Sequence, residues 1–216
     1  MTAPTITTDA VGRTRAPPDR VELGFETRAV EPDVTAARRS VAERATELRR
    51  VVVEAGATDE NVRSTRFRVR RQSPGHSGDA ERDPESRPFE AMESVAVTLD
   101  DLDALGDLLA AGVDEANAEI DDVTFTFRTE TKRQLEREAV ADAVTTARRK
   151  AEAAAAAEGV GVGGVRSLTT EERSRARQSG AALGAGAAEQ SGTAPASGPI
   201  DVTVGVTVEY ELVESP

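Results

Sequence analysis

The residues that could do chemistry are few and far apart. Glu93 stands on an alternating stretch, with Phe89, Ala91, Val95, Val97 and Leu99 on the same side. A carboxylate in that register points with Phe89 and Val95 toward the core side, where burial would raise its pKa and let it serve as a general acid or base. Carboxylates so placed more commonly sit at a rim or pair with Arg, and that ordinary reading outweighs the catalytic one. His76 is the only histidine, in a polar run near Asp79, Glu81 and Asp83. One imidazole cannot build a multi-His metal site, and a His-based triad would need a Ser and a carboxylate fixed around it. It reads as a solvated loop residue.

Two acidic clusters, Asp100, Asp101, Asp103 and Glu119, Asp121, Asp122, have the hard oxygen ligands that a cation such as Ca²⁺ takes. Their spacing matches no EF-hand loop, and helix capping with surface charge explains them more economically. The glycine run GVGVGGV, residues 159–165, invites a phosphate reading. Phosphate loops place glycines after a strand and before a helix, so that helix amides face the anion. Here they follow a helix and precede a strand, at the negative end of the dipole, so a helix stop and tight turn is the better reading. No catalytic set, cofactor site or metal site is expected; Glu93 alone is kept as a speculative site residue.

The elements that would position these residues follow from periodicity. Thr5 to Arg15 forms a weakly apolar first strand, ended by Ala16-Pro17-Pro18-Asp19. Val21, Leu23 and Phe25 alternate with polar neighbours as a half-buried strand, and antiparallel pairing of these two is the simplest arrangement. Pro32 and Asp33 open a helix whose apolar stripe, Val34, Ala37, Val41, Ala45, Leu48, Val52 and Ala55, runs to Gly56. A strand from Val62 to Gln72 follows. On it Arg66, Arg68 and Arg70 alternate with Phe67 and Val69, on a solvent face where Glu22 and Glu26 could pair with them. Residues 73–88 read as an exposed loop, and Phe89 to Leu99 as the strand bearing Glu93. Asp100 or Asp101 then caps a short helix with Leu102, Leu105 and Leu109, closed by Gly112.

Val123, Phe125 and Phe127 make a further strand. A long helix, Thr131 to Glu158, carries Leu135, Ala139, Ala143, Ala147, Ala151, Ala154 and Glu158 along one side, and small side chains there imply close approach to whatever it covers. After the glycine run comes another strand. Residues 172–199 are rich in Gly, Ala and Ser and read as a flexible connection. The chain closes on its cleanest strand, with Ile200, Val202, Val204, Val206, Val208, Tyr210 and Leu212 on one face. The order of elements predicts an α+β fold: one domain over residues 1–216, with a mixed, largely antiparallel sheet packed by two long helices and one short one.

Composition narrows the function classes. The 216 residues carry a formal charge of -12, and Lys132 and Lys150 are the only lysines among 27 basic residues. An acidic, arginine-biased surface fits a salt-loving host, since at molar salt the Debye length falls to roughly 3 Å and like charges repel little. The acidity argues against nucleic-acid binding, which needs a basic footprint. No cysteine is present, so disulfides and thiolate chemistry are excluded. No apolar run approaches the roughly 20 residues of a membrane span, and the N-terminus lacks a secretory signal, so a cytoplasmic location is expected.

Four stretches together resemble one family: PDRVELGFET; FEAMESVAVTL with DLDALGDLLAAGV; EIDDVTFTFRTE leading into REAVADAVTTARRKAEAAAAAEGVGVGGVRSL; and the closing GPIDVTVGVTVEYEL. In this order and spacing they are similar to the SIMPL domain family, a domain of unknown function (DUF541) that includes bacterial periplasmic stress-defence and immunogenic proteins. Members carry an aromatic-x-Ala-x-Asn run in the fourth strand; Phe89 and Ala91 match it, and Glu93 stands where the Asn would be. The resemblance implies a non-catalytic protein that forms homo-oligomers and acts through an unidentified protein partner, with a link to stress. A small-molecule or peptide-binding module, or a carboxylate hydrolase built on Glu93, are the alternatives.

Overall fold

In the computed structural model, residues 4–72, 87–171 and 198–214 are described. Most of the two loops expected at 73–88 and 172–199, and His76, lie outside the described residues. The elements in chain order are β1 (Thr5–Ala16), β2 (Arg20–Glu31), α1 (Val34–Glu54), β3 (Val62–Arg71), β4 (Phe89–Leu99), α2 (Leu105–Ala110), β5 (Glu119–Thr126), α3 (Thr129–Ala157), β6 (Val160–Glu171) and β7 (Ile200–Glu214). The class is α+β, as expected. Among the described residues every strand pairing is antiparallel, and the strands form two sheets, β1-β7-β6 and β3-β4-β2-β5. The described residues group into two compact units, 4–18 with 127–171 and 198–214, and 19–72 with 87–126.

In the first unit β7 is the central strand. Its Val206, Val208 and Tyr210 are buried against Ala143, Ala147 and Ala151 of α3. The alanine stripe is as the sequence predicts as far as Ala151, and the last buried position is Ala155. Alanines bring the helix axis close, and Gly12 of β1 brings it closer still. A Cβ on Gly12 would collide with the Ala139 carbonyl oxygen and the Ala143 amide nitrogen, and would lie 2.9 Å from the Ala143 Cβ. The helix also covers the outer edge of β1: Asp142 Oδ2 accepts from the Arg13 amide at 3.0 Å, and Lys150 Nζ donates to the Asp9 carbonyl at 2.8 Å. Because β1 needs this helix and this partner strand, it pairs with β7, whereas β2 pairs with β4 and β5. The simple β1–β2 hairpin expected from proximity is therefore not formed.

The glycine run acts as the stop it resembles. Gly159, at φ 73°, follows the end of α3, and the strand begins at Val160. The β6–β7 register shifts between Val162 and Val165. There the Arg148 guanidinium donates to the Val162 and Gly163 carbonyls at 3.1 and 3.0 Å.

The second unit packs α1 and α2 on one face of its sheet, around Leu23, Phe25, Leu48, Val52, Val97 and Leu105. The first turn of α1 is set by Asp33 rather than Pro32: its carboxylate accepts from the Thr35 and Ala36 amides, both at 2.9 Å, capping free donors at the positive end of the dipole. Gly56, at φ 116°, ends the helix. Asp101 caps the short helical stretch by accepting from the Asp103 amide at 3.1 Å. That stretch does not stop at Gly112, but runs on as a single π turn, Ala111–Glu115. Gly112 is instead a contact point: a Cβ there would lie 2.5 Å from Phe25 Cε1.

Gly12→Ala is expected to destabilise the protein by about 3 kcal/mol in chemical denaturation, the upper end of overpacking costs, because the intruding atom meets backbone that cannot swing aside. Gly164→Ala, which meets nothing within 4 Å, is expected to stay within about 0.5 kcal/mol of the parent. Equal effects at both positions would show that the Gly12 approach is not tight.

Candidate functional site

Glu93 lies in the middle of β4, between Thr27 of β2 and Phe67 of β3. It faces the α1 side of the sheet, as its alternation predicts, and is half-buried there. Its Oε1 accepts from the Ser64 hydroxyl at 2.5 Å, and its backbone carbonyl accepts from the buried Thr27 hydroxyl at 3.4 Å. Among the described residues Glu93 has no ion-pair partner. The neighbouring acid, Glu90, faces the opposite side of the sheet. That acid is the one buried charge among the described residues, only 6% exposed. It lies 2.8 Å from Arg70 Nε and 3.4 Å from Arg28 Nε, and Arg28 also reaches Glu26 and Glu119.

The arginines of β3 do line a solvent face. Their acidic neighbour is Glu90 on the adjacent strand, because β4 separates β3 from Glu22 and Glu26 of β2. A bulge between Ser64 and Arg66 sets which residues share that face. Val62 and Ser64 face α1; after the extra residue, Phe67 and Val69 face α1 while Arg66, Arg68 and Arg70 face away. Among the described residues Arg66 and Arg68 have no ion-pair partner. Phe67 is 49% exposed and borders a cleft of about 390 Å³ lined also by Thr35, Arg38, Arg39 and Ala42 of α1. A second cavity of about 610 Å³ lies in the first unit beside Asp9, Lys150 and Thr207. Its polar groups engage one another, since the Thr207 hydroxyl donates to Asp9 Oδ1 at 2.6 Å and Lys150 to the Asp9 carbonyl.

The acidic clusters have local partners. Asp100 receives a two-pronged bond from Arg20 at 2.7 and 3.1 Å, Asp101 is a cap, and Asp122 accepts from Thr124 at 2.6 Å. Among the described residues no group of three or more His, Cys, Asp or Glu is placed to hold a metal ion.

Two features escaped sequence reasoning. One is the set of exposed edge strands: β3 and β5 at the two edges of one sheet, and β6 at an edge of the other, with Val165 54% and Leu168 44% exposed. The other is Tyr210, whose buried hydroxyl has no hydrogen-bond partner among the described residues, while the Arg148 guanidinium lies 5.3 Å from its ring centroid. Burial pushes the Tyr210 hydroxyl above the ordinary phenol range, against the opposing pull of Arg148.

A phenol with a raised folded-state pKa favours the native state only while it stays protonated. Stability is therefore complete below the unfolded phenol's pKa of about 10 and is lost as pH rises through it toward the higher folded value. Tyr210→Phe is expected to match or exceed the parent in stability at neutral pH, since it removes an unsatisfied buried group, and to flatten the alkaline decline. A loss of about 1 kcal/mol or more would reveal a hydrogen bond to that hydroxyl. In urea titrations, Glu90→Ala is expected to cost about 1–2 kcal/mol by leaving two arginines without their shared partner, and Glu93→Gln less than about 0.5 kcal/mol, since Ser64 can donate equally to an amide oxygen.

A protein-family model described as SIMPL, a protein of unknown function (DUF541), matches residues 6–210. The chain has no match among the curated proteins. A match of that extent makes the chain a member of the SIMPL family.

Proposed function

We propose that this SIMPL-family protein is non-catalytic and self-assembling, and works through protein–protein contacts made by its exposed strands. The observation that carries this reading is the state of β3, β5 and β6: three edge strands that are largely exposed along their length. An open edge presents unpaired amides and carbonyls and is a template for another chain. The site chemistry supports the same reading, since Glu93 is held by the Ser64 hydroxyl and, among the described residues, has no ion-pair partner. A link to stress tolerance rests on the family resemblance.

The α1–β3 cleft supports a second reading, a binding module for a small anionic ligand or peptide. Phe67 offers a ring face there, and Arg38 and Arg39 have no ion-pair partners among the described residues. A volume of about 390 Å³ falls within the range of small-molecule pockets.

Multi-angle light scattering over a concentration series, in dilute buffer and in molar salt, is expected to give a mass that is a multiple of 22.8 kDa. A strict monomer in both would remove the assembly reading. A thermal-shift screen with carboxylate- and phosphate-bearing aromatics tests the cleft. A rise in the unfolding temperature that Phe67→Ala abolishes would favour the binding module.

A further inference from the structure

The sheet of the second unit has edges of opposite charge. β3 carries Arg63, Arg66, Arg68, Arg70 and Arg71 at one edge; β5 carries Glu119, Asp121 and Asp122 at the other. The registers place these charges on the same side. Arg66 and Arg68 lie opposite Ser94 and Met92, and Glu119 and Asp122 lie opposite Glu26 and Gly24, all on the face turned away from α1. The opposite, α1-bearing face has exposed apolar residues at both edges: Phe67 on β3, 49% exposed, and Ile120 on β5, 42% exposed.

We propose that β3 of one copy pairs with β5 of a second copy, in a head-to-tail contact that joins the two sheets edge to edge. The proposal rests on the assembly reading above and names its surface and partner. Like charges forbid the two alternatives on these edges, since β3 against β3 would set arginines together and β5 against β5 would set carboxylates together. Only the mixed pairing places Arg66 and Arg68 against Glu119 and Asp122, while laying Phe67 beside Ile120 on the other face.

Strand parity allows the contact to repeat. The sheet is antiparallel throughout and has an even number of strands, in the order β3-β4-β2-β5, so its two edge strands run in opposite directions. A second copy turned about an axis along the strands offers its β3 antiparallel to the first copy's β5, with both α1-bearing faces on the same side. The surface used differs from the surface offered, so each added copy leaves one β3 and one β5 open. Such a contact builds a ring if the rotation closes and a filament if it does not. Main-chain bonds and the Phe67–Ile120 contact supply the attraction, and the charges supply partner choice.

The test uses the full chain carrying Arg66→Glu/Arg68→Glu or Glu119→Arg/Asp122→Arg, with circular dichroism to confirm folding. Association is read by sedimentation velocity at about 0.15 M salt, where charges within about 8 Å still interact. Each variant alone is expected to associate at least about tenfold more weakly than the parent, and an equimolar mixture of the two to recover association. If the parent assembles and both variants assemble equally well, this surface is wrong while the assembly reading survives. A parent that stays monomeric overturns both.

Cross-linking gives a second route that does not depend on charge reversal, because the parent has no cysteine. Phe67→Cys and Ile120→Cys proteins, mixed and treated with a short bismaleimide, are expected to give the mixed dimer in preference to either like dimer. Like dimers alone, or no dimer, would overturn the pairing.

Discussion

The first unit depends on one missing atom. Because Gly12 has no Cβ, the backbone of α3 at Ala139 and Ala143 can lie directly on β1. From that contact the rest of the unit follows. The alanines every fourth residue keep the helix close along its length, Val206, Val208 and Tyr210 of β7 are sealed beneath it, and Asp142 and Lys150 reach the outer edge of β1. The large buried group here, Tyr210, fills the space that small residues leave, and its hydroxyl has no partner among the described residues. The second unit uses the same device once, where Gly112 makes room for the ring of Phe25.

Periodicity in the sequence was enough to place most elements and the α+β class. The stripe from Ala37 through Leu48 to Val52 is the buried side of α1, the alanine row is the buried side of α3, and the alternating valines of β7 are all inward. These patterns are legible because burial repeats with the period of the element that carries it. Pairing is not periodic in that sense. The sequence cannot say that β1 passes over its neighbour β2 to join β7, because that preference comes from Gly12 and from a strand nearly two hundred residues away. Nor could the glycine at position 112 be told from a helix stop, since only the position of Phe25 in space explains it.

At the candidate site the direction of Glu93 was legible and its surroundings were not. Alternation gives the face that a side chain points to; Ser64 beside it, and the lack of an ion-pair partner among the described residues, depend on how β3 is registered against β4. The arginine face of β3 was legible in kind, but its acid is Glu90, which belongs to an otherwise polar position of β4 and carried no signal of burial. Edge exposure was invisible, because whether a strand has one neighbour or two is a property of the sheet.

The bulge at Ser64–Arg66 gives the length of β3 a meaning separate from its composition. Because Thr65 is held out of the regular ladder, its hydroxyl donating to the Ser94 carbonyl at 3.2 Å, the arginines beyond it look outward and Phe67 looks toward α1. Were Thr65 instead to pair in a regular ladder, every residue beyond it would slip by one, turning Arg66, Arg68 and Arg70 toward the helix and Phe67 to the opposite face. A strand lacking Thr65 altogether would keep Ser64 opposite Val95 and Arg66 opposite Ser94, so the bulge absorbs one residue of length without changing which side chains meet the helix.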